Sequence, residues 1–93
     1  MKKFKKKVRR DASNIDLAFF KWILPRLECF LEYNVGYPSE YGSRKNFEDE
    51  IRERIKWVKQ LIDKENEMTI EEYDALANRF GDWFGKHYRS LWI

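Results

Sequence analysis

The chain has one cysteine, one histidine and two prolines in 93 residues. A single cysteine excludes a disulfide framework within one chain, which is typical of proteins of the reducing cytoplasm. We therefore expect a cytoplasmic location. Cys29 lies in an apolar run, and we expect it to be a small core residue. No apolar run reaches the length of a transmembrane helix, so no membrane partner is predicted.

Patterns that indicate catalysis or metal binding are equally scarce. The lone histidine, His87, lies among apolar residues, and we expect it to pack at the rim of a core rather than act as a base. The four glycines form no phosphate-binding loop, and no pair of residues has the spacing of a zinc site. The leading prediction is therefore a non-enzymatic protein with no catalytic residue and no cofactor.

Acidic residues are missing from the first ten positions, which hold seven cations: Lys2, Lys3, Lys5, Lys6, Lys7, Arg9 and Arg10. The rest of the chain carries twelve Lys or Arg against sixteen Asp or Glu, a net charge of −4. We therefore divide the chain into a basic flexible arm, residues 1–12, and a single helical domain, residues 13–93. The arm predicts weak, salt-sensitive contact with nucleic acid through residues 2–10, and a solubilising tail is the alternative.

Two helices are predicted in the first two thirds of the chain. The first covers residues 15–33, where Pro25 falls on a narrow polar stripe of an otherwise apolar helix. A proline on the wet side is tolerated as a bend, so we predict one helix kinked at Pro25, with two short helices as the alternative. The second covers residues 47–65, with Asn46 as its cap and a stripe of apolar residues at helical spacing.

The third predicted helix has the clearest start signal. Thr69 and Glu72 have the spacing of a capping box, and helical periodicity continues to Ile93. The three segments together predict an all-α, three-helix up-down-up bundle.

Small and aromatic residues favour an oligomer. Ala77, Gly81 and Gly85 recur every four residues, and glycine inside a helix costs about 1 kcal/mol relative to alanine. This spacing predicts close approach of another backbone, either the first helix or a second copy. Aromatic residues make up 17% of the chain. This surplus favours a homo-oligomer interface or a pocket for a planar ligand, and a core built from rings is the alternative.

Arg26 falls on the apolar side of the first helix, where an unpaired charge is costly. An ion pair to Asp74 or Asp82, or a head group that reaches the rim, is one interpretation. An anion site walled by aromatic residues is the other, and the loop over residues 35–46 adds rings and cations to it. The predicted ligand-binding residues are Arg26, Arg44, Arg79, Lys86 and Arg89 for phosphate, with Trp22, Tyr37, Trp83 and Tyr88 for stacking.

One pattern suggests an enzyme instead. Glu50 and Glu53 in the second helix, with Glu71 and Asp74 in the third, resemble the magnesium-binding signature of the all-α nucleoside triphosphate pyrophosphohydrolases. Four carboxylates on adjacent helices can hold magnesium ions that engage phosphates. A magnesium-dependent pyrophosphohydrolase is therefore an alternative function.

Three patches carry a second resemblance. They are W-x-x-P-R-L-x-x-F from Trp22, the tripeptide Gly36-Tyr37-Pro38, and a final segment from Phe80 to Trp92 rich in Phe and Tyr. Together they resemble a family of short, uncharacterised bacteriophage proteins, which usually end in Leu-Trp-Asp where this chain has Ile93 after Trp92.

This second resemblance implies a phage origin and no mechanism. Small phage proteins without catalytic groups often bind a host component. We therefore predict an accessory protein of the anti-defence type, acting in the cytoplasm of an infected host. Its partner is expected to be a host protein or an anionic nucleotide signal. A nucleic-acid-binding protein that acts through the basic arm is the alternative.

Overall fold

The computed structural model describes residues 2–63 and 68–91, with side chains from residue 6 onward. Four α-helices form in this part of the chain: α1 (Lys2–Ala12), α2 (Ile15–Tyr33), α3 (Arg44–Ile62) and α4 (Ile70–His87). The all-α prediction is confirmed for these stretches, but the helices number four rather than three. The extra helix is α1, because its lysines and arginines are good helix formers and no Gly or Pro interrupts them. Within the same stretches no helix is long and apolar enough to cross a membrane.

Helix α2 continues through Pro25 without a break, so the alternative of two short helices is wrong. Pro25 is exposed, as are the neighbours on its polar stripe, Lys21, Glu28 and Glu32. The bond that proline cannot donate is therefore lost on a side that water reaches. Cys29 is also exposed, contrary to the expected core position, because it lies next to this stripe rather than on the buried face.

The connection from α2 to α3 is more ordered than a plain loop. A short 3-10 helix covers Ser39–Tyr41, and Gly42 ends it with a φ of 76°, a conformation that favours glycine. Helix α3 begins at Arg44, three residues earlier than predicted. Its cap is Ser43, whose hydroxyl accepts from the backbone N–H of Asn46 at 3.1 Å, so the prediction of Asn46 as cap is wrong.

Helix α4 begins where its sequence predicts. The Thr69 hydroxyl accepts from the Glu72 N–H at 3.1 Å, and the Glu72 carboxylate accepts from the Thr69 N–H at 3.4 Å. The predicted capping box is therefore confirmed. The α-helix ends at His87, and a short 3-10 helix follows over Tyr88–Ser90. The last two residues of the predicted helix, 92 and 93, lie outside the described residues.

Loss of this cap has a measurable cost. Thr69→Ala leaves the Glu72 N–H without its hydroxyl acceptor, so we expect the free energy of unfolding to fall by about 1 kcal/mol. Urea denaturation followed by circular dichroism measures the change. Thr69→Ser keeps the hydroxyl and is the matched control; an equal loss in both variants would contradict a role for the cap.

Helices α2, α3 and α4 share one core. Its buried members are Phe20, Ile23, Leu27 and Phe30 from α2; Phe47, Ile51, Ile55, Val58 and Leu61 from α3; and Phe80 and Trp83 from α4. Rings join the helices: Phe30 meets Phe47 with centroids 6.0 Å apart, and Phe20 meets Phe80 at 6.1 Å. The apolar stripe predicted for α3 is therefore the face that α3 buries.

The glycines of α4 do not bring another helix close within the chain. Gly81 and Gly85 are exposed, and a side-chain carbon built at either position meets nothing within 4 Å. The predicted close approach to the first helix is wrong, because α4 turns Phe80, Trp83 and Phe84 toward its neighbours and the glycines point elsewhere. A second copy at the glycines stays a prediction.

Candidate functional site

The nine predicted ligand residues do not form one site. Trp22, Arg26 and Tyr88 come together in an open groove between α2 and the end of α4. Tyr37 and Arg89 come together in a second groove beside the loop after α2. The other four, Arg44, Arg79, Trp83 and Lys86, line neither groove.

We call the first of these the Trp22 groove. It has a volume of about 300 Å³ and is lined by Trp22, Ile23, Arg26, Leu27, Phe30, Phe84, Tyr88 and Leu91. Its two largest rings are open to solvent, since Trp22 is 51% and Tyr88 53% exposed. Phe19 stacks against Trp22 with ring centroids 6.4 Å apart, and Phe84 supports Tyr88 at 5.7 Å. Neighbouring rings therefore hold Trp22 and Tyr88 in place, while about half of each side chain stays exposed to solvent.

Arg26 lies on the Trp22 groove and is exposed, which agrees with the interpretation of a head group that reaches the rim. Its Nη1 donates to the Trp22 carbonyl at 2.7 Å, and its guanidinium carbon lies 4.1 Å from the Trp22 ring centroid. This cation–π contact one helical turn away takes the place of the suggested ion pairs to Asp74 or Asp82. The guanidinium is held in position, and no carboxylate of residues 6–63 or 68–91 forms an ion pair with it.

We call the second of these the Tyr37 groove. It has a volume of about 420 Å³ and is lined by Asn34, Val35, Gly36, Tyr37, Pro38, Phe47, Arg89 and Ser90. Asn34 shapes it: its amide donates to the Gly36 carbonyl at 2.8 Å and to the buried Glu48 carboxylate at 2.9 Å. Arg44 lies 3.3 Å from the same carboxylate. Arg44 therefore stabilises Glu48, which holds Asn34 in the wall of this groove, and its contact is with the protein rather than with a ligand.

One short segment, Tyr88–Leu91, lines both grooves. Tyr88 and Leu91 line the Trp22 groove, while Arg89 and Ser90, between them in the chain, line the Tyr37 groove. Among the described residues that line either groove, the charged side chains are Arg26 and Arg89, and both are positive. The chain beyond residue 10 is otherwise acidic, with sixteen Asp or Glu in all. Each groove is therefore suited to an anionic ligand with a planar or apolar part.

A polar network that the sequence did not predict lies on the other side of α4. Glu50 of α3 accepts hydrogen bonds from the Tyr41 hydroxyl and from Trp83 Nε1, the latter at 2.9 Å. Arg54 Nη2 lies 3.6 Å from the second oxygen of Glu50, and His87 Nδ1 lies 3.3 Å from the Tyr41 oxygen. Because the Tyr41 proton goes to Glu50, His87 must present an N–H to Tyr41 through Nδ1.

The network shifts two pKa values. Burial raises the pKa of the Tyr41 phenol above its ordinary value, and the hydrogen bond to Glu50 adds to the increase. Partial burial alone would raise the pKa of the Glu50 carboxyl. The hydrogen bonds from Tyr41 and Trp83, with the charge of Arg54, outweigh burial and leave that pKa below its ordinary value. The carboxylate therefore stays ionised as the anchor of the network.

Trp83 and Arg79 lie outside both grooves and make contacts within the fold. Trp83 is a buried core residue whose Nε1 donates to Glu50, a position that gives no support to its predicted stacking on a ligand. Arg79 lies over Trp57, with its guanidinium carbon 4.7 Å from the ring centroid, and Arg54 lies over the same ring at 4.0 Å. Lys86 is exposed on α4.

The four carboxylates of the magnesium signature do not converge. Glu50 contacts Trp83 near the end of α4, whereas Glu71 and Asp74 lie in its first turns. Helices α3 and α4 run antiparallel, which separates the two pairs. Among residues 2–63 and 68–91 no group of three or more His, Cys, Asp or Glu is placed to hold a metal ion.

Comparison with protein-family models, with curated proteins and with solved structures gives no match to this chain. The resemblance to short phage proteins therefore stays a prediction. Any functional conclusion depends on the grooves and their chemistry.

Proposed function

We propose that this chain is a non-enzymatic accessory protein of a bacteriophage that binds and sequesters an anionic nucleotide of its host. The observation that carries the proposal is the pair of grooves along the segment Tyr88–Leu91, in which exposed rings lie beside two arginines and, among the described residues, no acid. A nucleotide combines a planar base with charged phosphates, and this lining offers a partner for each.

The rings and the arginines of the lining would bind different parts of a nucleotide. Trp22 and Tyr88 are each about half exposed, and a base can stack on the part of each ring that Arg26 and Phe84 leave open, a contact worth about 1–3 kcal/mol. Arg26 uses Nη1 on the Trp22 carbonyl, and a guanidinium has five N–H donors, so others remain for phosphate. Arg89 supplies the second cation. Each groove has the volume of a small-ligand site, which is about 300–1,000 Å³.

The proposal extends to assembly and location. Helices α2, α3 and α4 would act as an up-down-up bundle within a homo-oligomer in the cytoplasm of the infected cell. Tyr33 and Val35 support an oligomer, because both are apolar and largely exposed next to the Tyr37 groove. Native mass spectrometry of the purified protein measures the subunit number and detects any nucleotide that remains bound.

Titration calorimetry against cyclic nucleotides and ADP-ribose-type compounds tests the binding proposal. Arg26→Ala and Arg89→Ala should each weaken binding by roughly 10- to 100-fold, because each removes a charge-assisted hydrogen bond worth about 1.5–3 kcal/mol. Trp22→Ala should have a similar effect through loss of stacking. Lys56→Ala is the matched control, since Lys56 is exposed on α3 and its described ion pair is with the exposed Glu53.

The outcomes are distinct. Binding that all three groove variants retain would place the ligand elsewhere. No heat with any nucleotide would refute the nucleotide as ligand and leave a host protein as the partner. In that event the same variants, tested against the host protein, would show whether the grooves are the contact surface.

A further inference from the structure

Helix α1 is the most strongly charged element of the chain. Its eleven residues, Lys2–Ala12, contain seven Lys or Arg and a single acid, Asp11. Lys6, Lys7, Arg9 and Arg10 are exposed. Within this group, the described ion pair joins Arg10 to its neighbour Asp11 at 4.0 Å. An exposed ion pair at this distance contributes little to stability.

Helix formation changes what these cations can do. As a coil, they would form a string of variable spacing. In a helix of about 16 Å, the same residues follow one another closely at a fixed spacing and form a dense array. An eleven-residue helix is marginal alone, but a two-residue turn joins α1 to α2, and Arg10 and Asp11 lie beside Leu17 and Ala18, which attaches the array to the body of the protein.

Outside α1 the chain carries twelve Lys or Arg against fifteen Asp or Glu, a net charge of −3, so α1 and the body differ in sign. A polyanion would be repelled by the acidic body and attracted by α1. We propose that α1 is a docking helix for the phosphate backbone of a nucleic acid, acting independently of the two grooves.

A nucleic acid fits this helix better than a membrane surface does. Helices that lie in a membrane interface bury an apolar face rich in Trp, Phe or Leu. The apolar residues of α1, Phe4, Val8 and Ala12, recur every four residues, but they include a single aromatic ring against seven cations, which is too little for such a face. Phosphate contacts need only cations, and each one releases counterions on binding. Because Lys dominates the array, we expect binding that is insensitive to base sequence.

Fluorescence anisotropy with a labelled DNA duplex of about 20 base pairs tests the proposal. Raising KCl from about 50 to about 200 mM should weaken binding by roughly 10²- to 10³-fold, because the exponent on salt is about −0.9 per phosphate contacted. Lys6→Glu with Arg9→Glu should weaken binding at the lower salt concentration by at least about tenfold. Both residues are exposed, so circular dichroism should show an unchanged fold.

Lys56→Glu with Lys86→Glu is the matched control, because it changes the net charge equally on exposed positions of α3 and α4. Retained duplex binding in this variant, with loss in the α1 variant, supports the proposal. Equal loss in both variants, binding that salt does not weaken, or no binding at the lower salt concentration would overturn it. So would binding to vesicles that contain phosphatidylserine without binding to the duplex.

Discussion

Replacing Phe80 by alanine should lower the free energy of unfolding by about 3–5 kcal/mol. Phe80 is completely buried, and its ring contacts Phe20 at 6.1 Å and Trp83 at 5.8 Å between centroids. It therefore joins α4 to α2 at the centre of the core. Truncation removes the ring from all these neighbours and leaves a cavity that packed helices fill only in part. The midpoint of thermal unfolding should fall by more than about 10 °C.

Ile70→Ala is the matched control in the same helix. Ile70 is 78% exposed, so its truncation should change the free energy of unfolding by no more than about 0.5 kcal/mol. Chemical denaturation of both variants beside the parent chain measures the two values. Similar losses in the two variants would show that Phe80 does not occupy the centre of the core.

Removing Glu50 should have the second-largest effect. Glu50→Ala leaves three donors without their carboxylate: the Tyr41 hydroxyl, Trp83 Nε1 and the Arg54 guanidinium. Trp83 is buried, so water cannot fully replace the lost acceptor. Since the Glu50 side chain itself remains 29% exposed, we expect an intermediate cost of about 2–4 kcal/mol. Glu53→Ala, an exposed acid on the same helix, should cost no more than about 0.5 kcal/mol.

The effect of Glu50 should depend on pH. The pKa of Glu50 is lower in the folded state than its ordinary value of 4.5. The unfolded chain therefore takes up its proton first as the pH falls. The stabilisation by this carboxylate is present above the ordinary value and is lost as the pH falls through the folded-state pKa. Glu50→Gln should consequently cost more at about pH 7 than at about pH 3. Denaturation at both pH values measures this, and an equal cost would contradict it.

Local signals determined much of the helical architecture. The capping box at Thr69 begins α4, and the apolar stripe of α3 is the face that packs in the core. These signals were readable because a cap and a stripe involve residues only three or four positions apart, which helical geometry alone brings together. The helical tendency of α1 was also present in its composition, but the dense charge favoured interpretation as a flexible arm.

The tertiary structure determined which face of each helix is buried and which residues of other elements contact it. Trp83 can be a core residue because Glu50, 33 positions away, accepts the hydrogen bond from its N–H. Tyr41 contacts His87, which lies 46 positions further along the chain. Arg26 stayed at the surface because Trp22 offered its carbonyl and ring, and the glycines of α4 faced outward. Such partners are distant in sequence or depend on the rotation of a packed helix. Sequence periodicity therefore predicts the helices of this protein, and only their packing creates its two grooves.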